Sequence, residues 1–142
     1  MYNPGYISGA LFDILETSTV KLDVVKKVVG IAMDDILFDF NSADIKAKYV
    51  DELDKLGNFL KANPSTFVIL DGYTDNVGTD EANLWVSRFR IQGVVDYLMD
   101  NFGIDQRRIV PMWYGELNPT AENGTAEGRA RNRRVESIVG GL

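Results

Sequence analysis

A chain of 142 residues with 45% apolar side chains can bury one adequate core, and it is expected to fold as a single globular domain. Its formal net charge of −6 argues against a nucleic-acid binder, because such affinity rests on basic side chains releasing counterions from phosphates. Cys and His are both absent, which excludes disulfides, thiolate metal sites and every mechanism built on an imidazole base.

Residues 1–19 carry Pro4, Gly5, Gly9 and the cluster Thr17-Ser18-Thr19, and they read as a linker or loosely packed arm. The opening Met1-Tyr2-Asn3-Pro4-Gly5 lacks the positive region and apolar stretch of a signal peptide. No apolar run approaches the roughly 20 residues that span a bilayer, so this segment is not expected to insert into a membrane. Val20, Leu22 and Val24 alternate with Lys21 and Asp23, the period of a half-buried strand, and Val28, Val29 and Ile31 continue or partner it. The expected division is an N-terminal arm over 1–32 and a compact domain over 33–142.

Ile36-Leu37-Phe38-Asp39-Phe40 reads as a short strand ending at Asn41-Ser42, a turn and a helix N-cap. Tyr49, Leu53, Leu56 and Leu60 are spaced four, three and four apart, one apolar stripe of a helix that Asn63-Pro64 stops. Thr66 to Leu70 is a second strand, feeding the turn Asp71–Gly78. Thr79 then caps a helix whose first turn carries Asp80 and Glu81, whose core stripe is Ser87, Ile91, Val94 and Leu98, and which Gly103 closes. Arg108 to Trp113 is a third strand. Gly115 to Gly128 is a loop turning at Asn123-Gly124, and a last strand runs from about Arg131 to Val139 after a short helical turn. Strands alternating with helices, with a final strand, predict an α/β (α+β) two-layer sandwich.

Chemistry concentrates in three places. Asp75 follows a strand among Gly72, Asn76 and Gly78, where a carboxylate either meets a ligand or caps its own backbone. Arg90 lies seven residues past Asn83, nearly two helical turns, so the two share a face; the arginine can face a ligand, solvent or a nearby acid. Arg129, Arg131, Arg133 and Arg134 make a local basic patch in an acidic chain, which suits a small anionic ligand better than a polyanion. Asn76, Thr79, Asp80 and Glu81 are rich in oxygen but lack the regular spacing of a calcium loop, so neither metal nor cofactor is expected. Trp85, Phe89, Trp113 and Tyr114 offer either packing surface or a platform for sugars.

The ordered set Gly72, Thr74, Asp75, Gly78, then Asn83, Ser87, Arg90, then Arg129, Asn132, Arg133, Arg134, Val135 resembles the OmpA-like C-terminal family, which includes peptidoglycan-associated lipoproteins and MotB stator domains. Tyr73 stands where the family usually has histidine, Val86 where it has leucine, and Ile91 where it has alanine. The resemblance implies a mixed sheet packed on two main helices in the order βαβαβ(α)β. It also implies noncatalytic binding of the peptidoglycan stem peptide, in the periplasm, as part of a larger outer-membrane or membrane-anchored protein. By position, Asp75 and Arg90 would grip the diaminopimelate residue of the stem, supported by Asn41, Asn83 and Arg133. Envelope proteins or further copies of the chain are possible additional partners. Two other classes stand beside this reading: a carboxylate-dependent wall hydrolase pairing Asp75 with Asp39 or Asp71, and a protein-interaction module.

Overall fold

The computed structural model describes residues 31–141. The strand expected over Val20–Val24, and nearly all of the arm, lie outside the described residues. The elements are β1 (Ile31–Ala32), β2 (Ile36–Leu37), α1 (Val50–Ala62), β3 (Phe67–Gly72), α2 (Asp80–Phe102), β4 (Ile109–Trp113), α3 (Ala126–Asn132) and β5 (Arg134–Gly140). The sheet order is β1-β5-β3-β4, with β2 also pairing with β5. β5 is antiparallel to β1, β2 and β3, whereas β3 and β4 are parallel and are joined through α2. A parallel pair needs such a long crossover, and α2 supplies it. The result is the expected mixed sheet in an α+β architecture.

The apolar stripes of the sequence become the core. Leu53, Leu56 and Leu60 of α1 and Ile91, Val94 and Leu98 of α2 are buried against Val68 and Leu70 of β3 and Val135 and Val139 of β5. Thr79 caps α2 by accepting from the Ala82 N–H, and Gly103 ends it at φ 62°, the left-handed region that glycine tolerates. Gly72 brings the helix onto the end of β3: a Cβ there would lie 2.7 Å from Ile91 Cγ1 and 2.8 Å from the Ser87 carbonyl. That close approach places the Ser87–Arg90 turn of α2 beside the loop that leaves β3.

Three details depart from the sequence reading. Ile31 and Ala32 pair with Val139 and Ile138, so the sheet includes two residues assigned to the arm in the expected division. The strand expected over Ile36–Phe40 is paired only at Ile36 and Leu37, after which the chain turns through Asn41 at φ 53°. Ser42 does not start α1, which begins at Val50 after a 3-10 turn over Ala47–Tyr49. The Ser42 hydroxyl accepts from the Asp44 N–H, and the carbonyls of Asp39 and Ser42 are turned toward Arg90 instead of into a helix. The short helical turn before the last strand is a seven-residue helix, α3, capped by Thr125.

Candidate functional site

The loop after β3 is pinned on both sides. The Thr74 N–H donates to the Gly115 carbonyl at 2.7 Å, the Gly115 N–H donates to Ser87 Oγ at 3.0 Å, and Asn83 Nδ2 donates to the Asp75 carbonyl at 3.3 Å. These bonds fix the Asp75 carboxylate, which is only 3% exposed. Its Oδ1 accepts from the Val77 N–H at 3.0 Å, the self-capping turn, while Oδ2 accepts from Arg133 Nη1 at 3.1 Å. The self-capping reading of Asp75 is thus seen directly, and its second oxygen is held by an arginine. A carboxylate offers about four acceptor positions, so these two bonds leave capacity for an incoming donor.

Arg90 is almost wholly buried, and its guanidinium lies over the Phe38 ring with 5.2 Å to the centroid. Nε donates to the Ser42 carbonyl at 2.8 Å, Nη1 to the Tyr73 carbonyl at 3.1 Å and Nη2 to the Asp39 carbonyl at 3.1 Å. Five N–H groups minus these three bonds leave one on each terminal nitrogen. Burial, reinforced by the like charge of Arg133 and opposed by Asp75, lowers its pKa to about 10, which still leaves it charged at neutral pH. Arg133 bridges two segments, with Nε donating to the Phe38 carbonyl at 2.9 Å and Nη1 on Asp75. The carboxylate of Asp75 thus pairs directly with Arg133, the residue read as supporting, rather than with Arg90.

Asn41, Asp75, Asn83, Arg90 and Arg133 all line one cleft of about 210 Å³, together with Phe40, Thr74, Val77, Gly78, Ala82 and Val86. Two guanidinium groups face a single carboxylate there, so the lining is net positive. Asp39 is instead paired with Lys46 at 2.9 Å, and Asp71 does not line the cleft. Neither carboxylate considered as an acid–base partner for Asp75 therefore lines the cleft with it. Sequence reasoning missed the backbone carbonyls of Phe38, Asp39, Ser42 and Tyr73 that anchor the two arginines, because a carbonyl carries no sequence signal. It also missed the apolar rim formed by Phe40 and Val77, 58% and 44% exposed.

Of the other arginines, Arg134 is buried, paired with Glu136 at 2.6 Å and 3.8 Å from the centroid of the Tyr73 ring. Arg129 donates to the Asn123 carbonyl, and Arg131 is exposed. Tyr73 stacks on Tyr114 at 5.2 Å and does not line the cleft. Burial, with the carboxylates of Asp71 and Glu136, pushes its hydroxyl up to about 12.

Asp71 and Glu136 are cross-strand partners, and Asp71 Oδ1 is buried without a hydrogen-bond partner. Burial and then the Glu136 charge raise the Asp71 pKa to about 6, against the opposing Tyr114 hydrogen bond and Arg134 charge. A carboxyl that holds its proton more tightly when folded stabilises most below the unfolded value near 3.8 and loses that contribution as pH rises through 6. Relative to wild type, Asp71→Asn should gain about 1–2 kcal/mol of stability between pH 4 and pH 7.5. Urea denaturation at the two pH values measures this, and a difference between the proteins that stays constant with pH would contradict it.

Residues 37–133 match the model of the OmpA family. The chain is 41% identical over 115 residues to outer membrane porin F of Pseudomonas aeruginosa, covering 81% of this chain and 33% of that protein. It is 38% identical over 104 residues to the peptidoglycan-binding protein ArfA of Mycobacterium tuberculosis, covering 73% of this chain and 32% of that protein. The chain thus spans about a third of the length of these curated relatives. Among solved structures, the peptidoglycan-associated lipoprotein from Burkholderia pseudomallei matches with a TM-score of 0.70 at 27% identity, covering 74% of this chain and 88% of that one. Among the described residues, no helix is long and apolar enough to cross a membrane.

Proposed function

This chain belongs to the OmpA family, and from that premise we propose that it binds the peptide stem of peptidoglycan without cleaving it. Acting in the periplasm, it tethers a larger envelope protein to the wall. The names of two similar proteins, a peptidoglycan-binding protein and a peptidoglycan-associated lipoprotein, support the reading. The observation that carries it is the fixed juxtaposition of the Asp75 carboxylate with the Arg90 and Arg133 guanidinium groups in one cleft.

Such a site is complementary to an amino-acid head group. Diaminopimelate keeps an amine and a carboxylate on its side-chain end even inside a peptide. The Asp75 carboxylate accepts from the ammonium, and the uncommitted N–H groups of Arg90 and Arg133 receive the carboxylate as charge-assisted bonds. Asn41 and Asn83 supply neutral hydrogen-bonding groups at the rim and floor of the same cleft. Among the described residues Asp75 is the sole carboxylate of the lining and is held beside Arg133, which supports a role as an acceptor over one in proton transfer.

Co-sedimentation with purified sacculi should retain the protein, with no soluble muropeptides released over hours; time-dependent release would sink the noncatalytic reading. Each charge-assisted bond contributes only about 1.5–3 kcal/mol, so single-stem affinity is expected to be modest. Ligand choice is sharper. A stem carrying L-Lys in place of diaminopimelate keeps the amine and lacks the distal carboxylate, which leaves the remaining N–H groups of Arg90 and Arg133 without that acceptor. That should cost about 1–3 kcal/mol, or roughly 5- to 150-fold in affinity by calorimetry. Equal affinity for the two matched stems would rule out carboxylate recognition by the arginines.

A further inference from the structure

Beside the cleft, α2 carries an aromatic surface that the peptide-binding reading does not use. Trp85 and Phe89 are 47% and 56% exposed, and their rings lie 6.0 Å apart with 30° between planes. Of the five large apolar side chains exposed among the described residues, Phe40 and Val77 rim the cleft and Trp85 and Phe89 lie next to it along the same helix. Exposed aromatic area gathered around a binding cleft is a mark of further contact with a ligand.

We propose that Trp85 and Phe89 form a stacking platform for the glycan strand that carries the stem peptide, so that the domain grips sugar and peptide together. This inference rests on the peptide-binding reading above. Helix geometry gives the path. At about 100° per residue, Ala82 lies some 40° and Phe89 some 60° round the helix from Val86, and Trp85 some 100°, all on the same side. Ala82 and Val86 line the peptide cleft. Beyond Trp85, Glu81 and Arg88 join Trp85 and Trp113 around a second recess of about 210 Å³. The Arg88 guanidinium is held 5.2 Å from the Trp85 ring and 5.4 Å from the Trp113 ring.

That combination matches an N-acetylated amino sugar. The C–H face of a pyranose lies flat on an aromatic ring, while its hydroxyl and acetamido groups need donors and acceptors at the ring edge, which Arg88 and Glu81 provide. The dimensions agree as well. An arc of about 100° at the radius of a side-chain-bearing helix, roughly 5–6 Å, is about 10 Å. A few stem residues at about 3.3–3.6 Å each separate a residue in the cleft from the sugar to which its stem is attached. That reach is enough for the glycan to meet this flank of α2 when the cleft is occupied.

Calorimetry with three ligands tests the proposal: the free stem peptide, the same stem on its disaccharide, and the disaccharide alone. Wild type should bind the disaccharide-bearing stem about five- to twentyfold more tightly than the free stem, with the disaccharide alone too weak to saturate. A Trp85→Ala/Phe89→Ala variant should lose that gain and keep the free-stem affinity, which also reports that it is folded. Equal binding of the two stem ligands by wild type overturns the platform and leaves the peptide reading standing. Retention of the gain in the double variant does the same. No binding of either stem overturns both.

Discussion

Replacing Arg90 by alanine should cost about 3–5 kcal/mol of folding stability, a large fraction of what a domain of this size possesses. Arg90 is 1% exposed and ties together two segments that are far apart in sequence, the turn from Asp39 to Ser42 and the loop at Tyr73. Without it, the carbonyls of Asp39, Ser42 and Tyr73 lose their donor, each at about 1–3 kcal/mol where water cannot reach them. The Phe38 ring also loses the guanidinium that covers it. Arg90→Lys should recover less than half of the loss, because one ammonium replaces a planar fork and cannot serve three diverging carbonyls. Urea denaturation of the three proteins at neutral pH measures the effect. An alanine variant that unfolds at the wild-type midpoint would mean that the carbonyl clamp is not structural. Binding defects in Arg90 variants are therefore interpretable only beside their stability, and Arg133, at 16% side-chain exposure, is the cleaner place to remove a positive charge.

The elements that could be read from sequence are those whose cause is local. The Leu53–Leu56–Leu60 stripe, the Thr79 cap and the Gly103 stop each depend on neighbours within a few residues, and each stands in the structure as expected. Ser42 looked like a cap by the same local logic and is not one, because its carbonyl is captured by an arginine 48 residues away. The five candidate residues could be singled out as a set, since their types and spacing are written in the chain, and the fold brings all five to one cleft. The pairing inside that set was not legible. Asp75 and Arg133 are 58 residues apart, and only the antiparallel return of β5 beside β3 decides that Arg133, rather than Arg90, reaches the carboxylate. Asp71 was equally opaque: its alternation along β3 could be counted, but a buried oxygen without a partner is a property of the assembled sheet.

Asp75→Asn should weaken binding of a diaminopimelate stem by about 30- to 1000-fold, the equivalent of roughly 2–4 kcal/mol. The amide can still accept from the Val77 N–H, so the turn persists. The ligand's ammonium nevertheless loses its charged acceptor, and the second amide atom either offers Arg133 a donor or turns away. Lysine and diaminopimelate stems should weaken by the same factor, because both present the amine, and the preference between them should survive. An indirect role is the competing explanation, since Asp75 also holds Arg133 at 3.1 Å and its loss could act through that arginine. A double-mutant cycle separates the two. If Asp75 only positions Arg133, then Asp75→Asn in an Arg133→Gln background should cost nothing further. If Asp75 touches the ammonium itself, the double variant should bind more weakly than either single one, with part of each penalty retained. A variant that binds an anionic stem more tightly than wild type would overturn the assignment altogether, because it would show the cleft gaining from its added positive charge and losing nothing with the carboxylate.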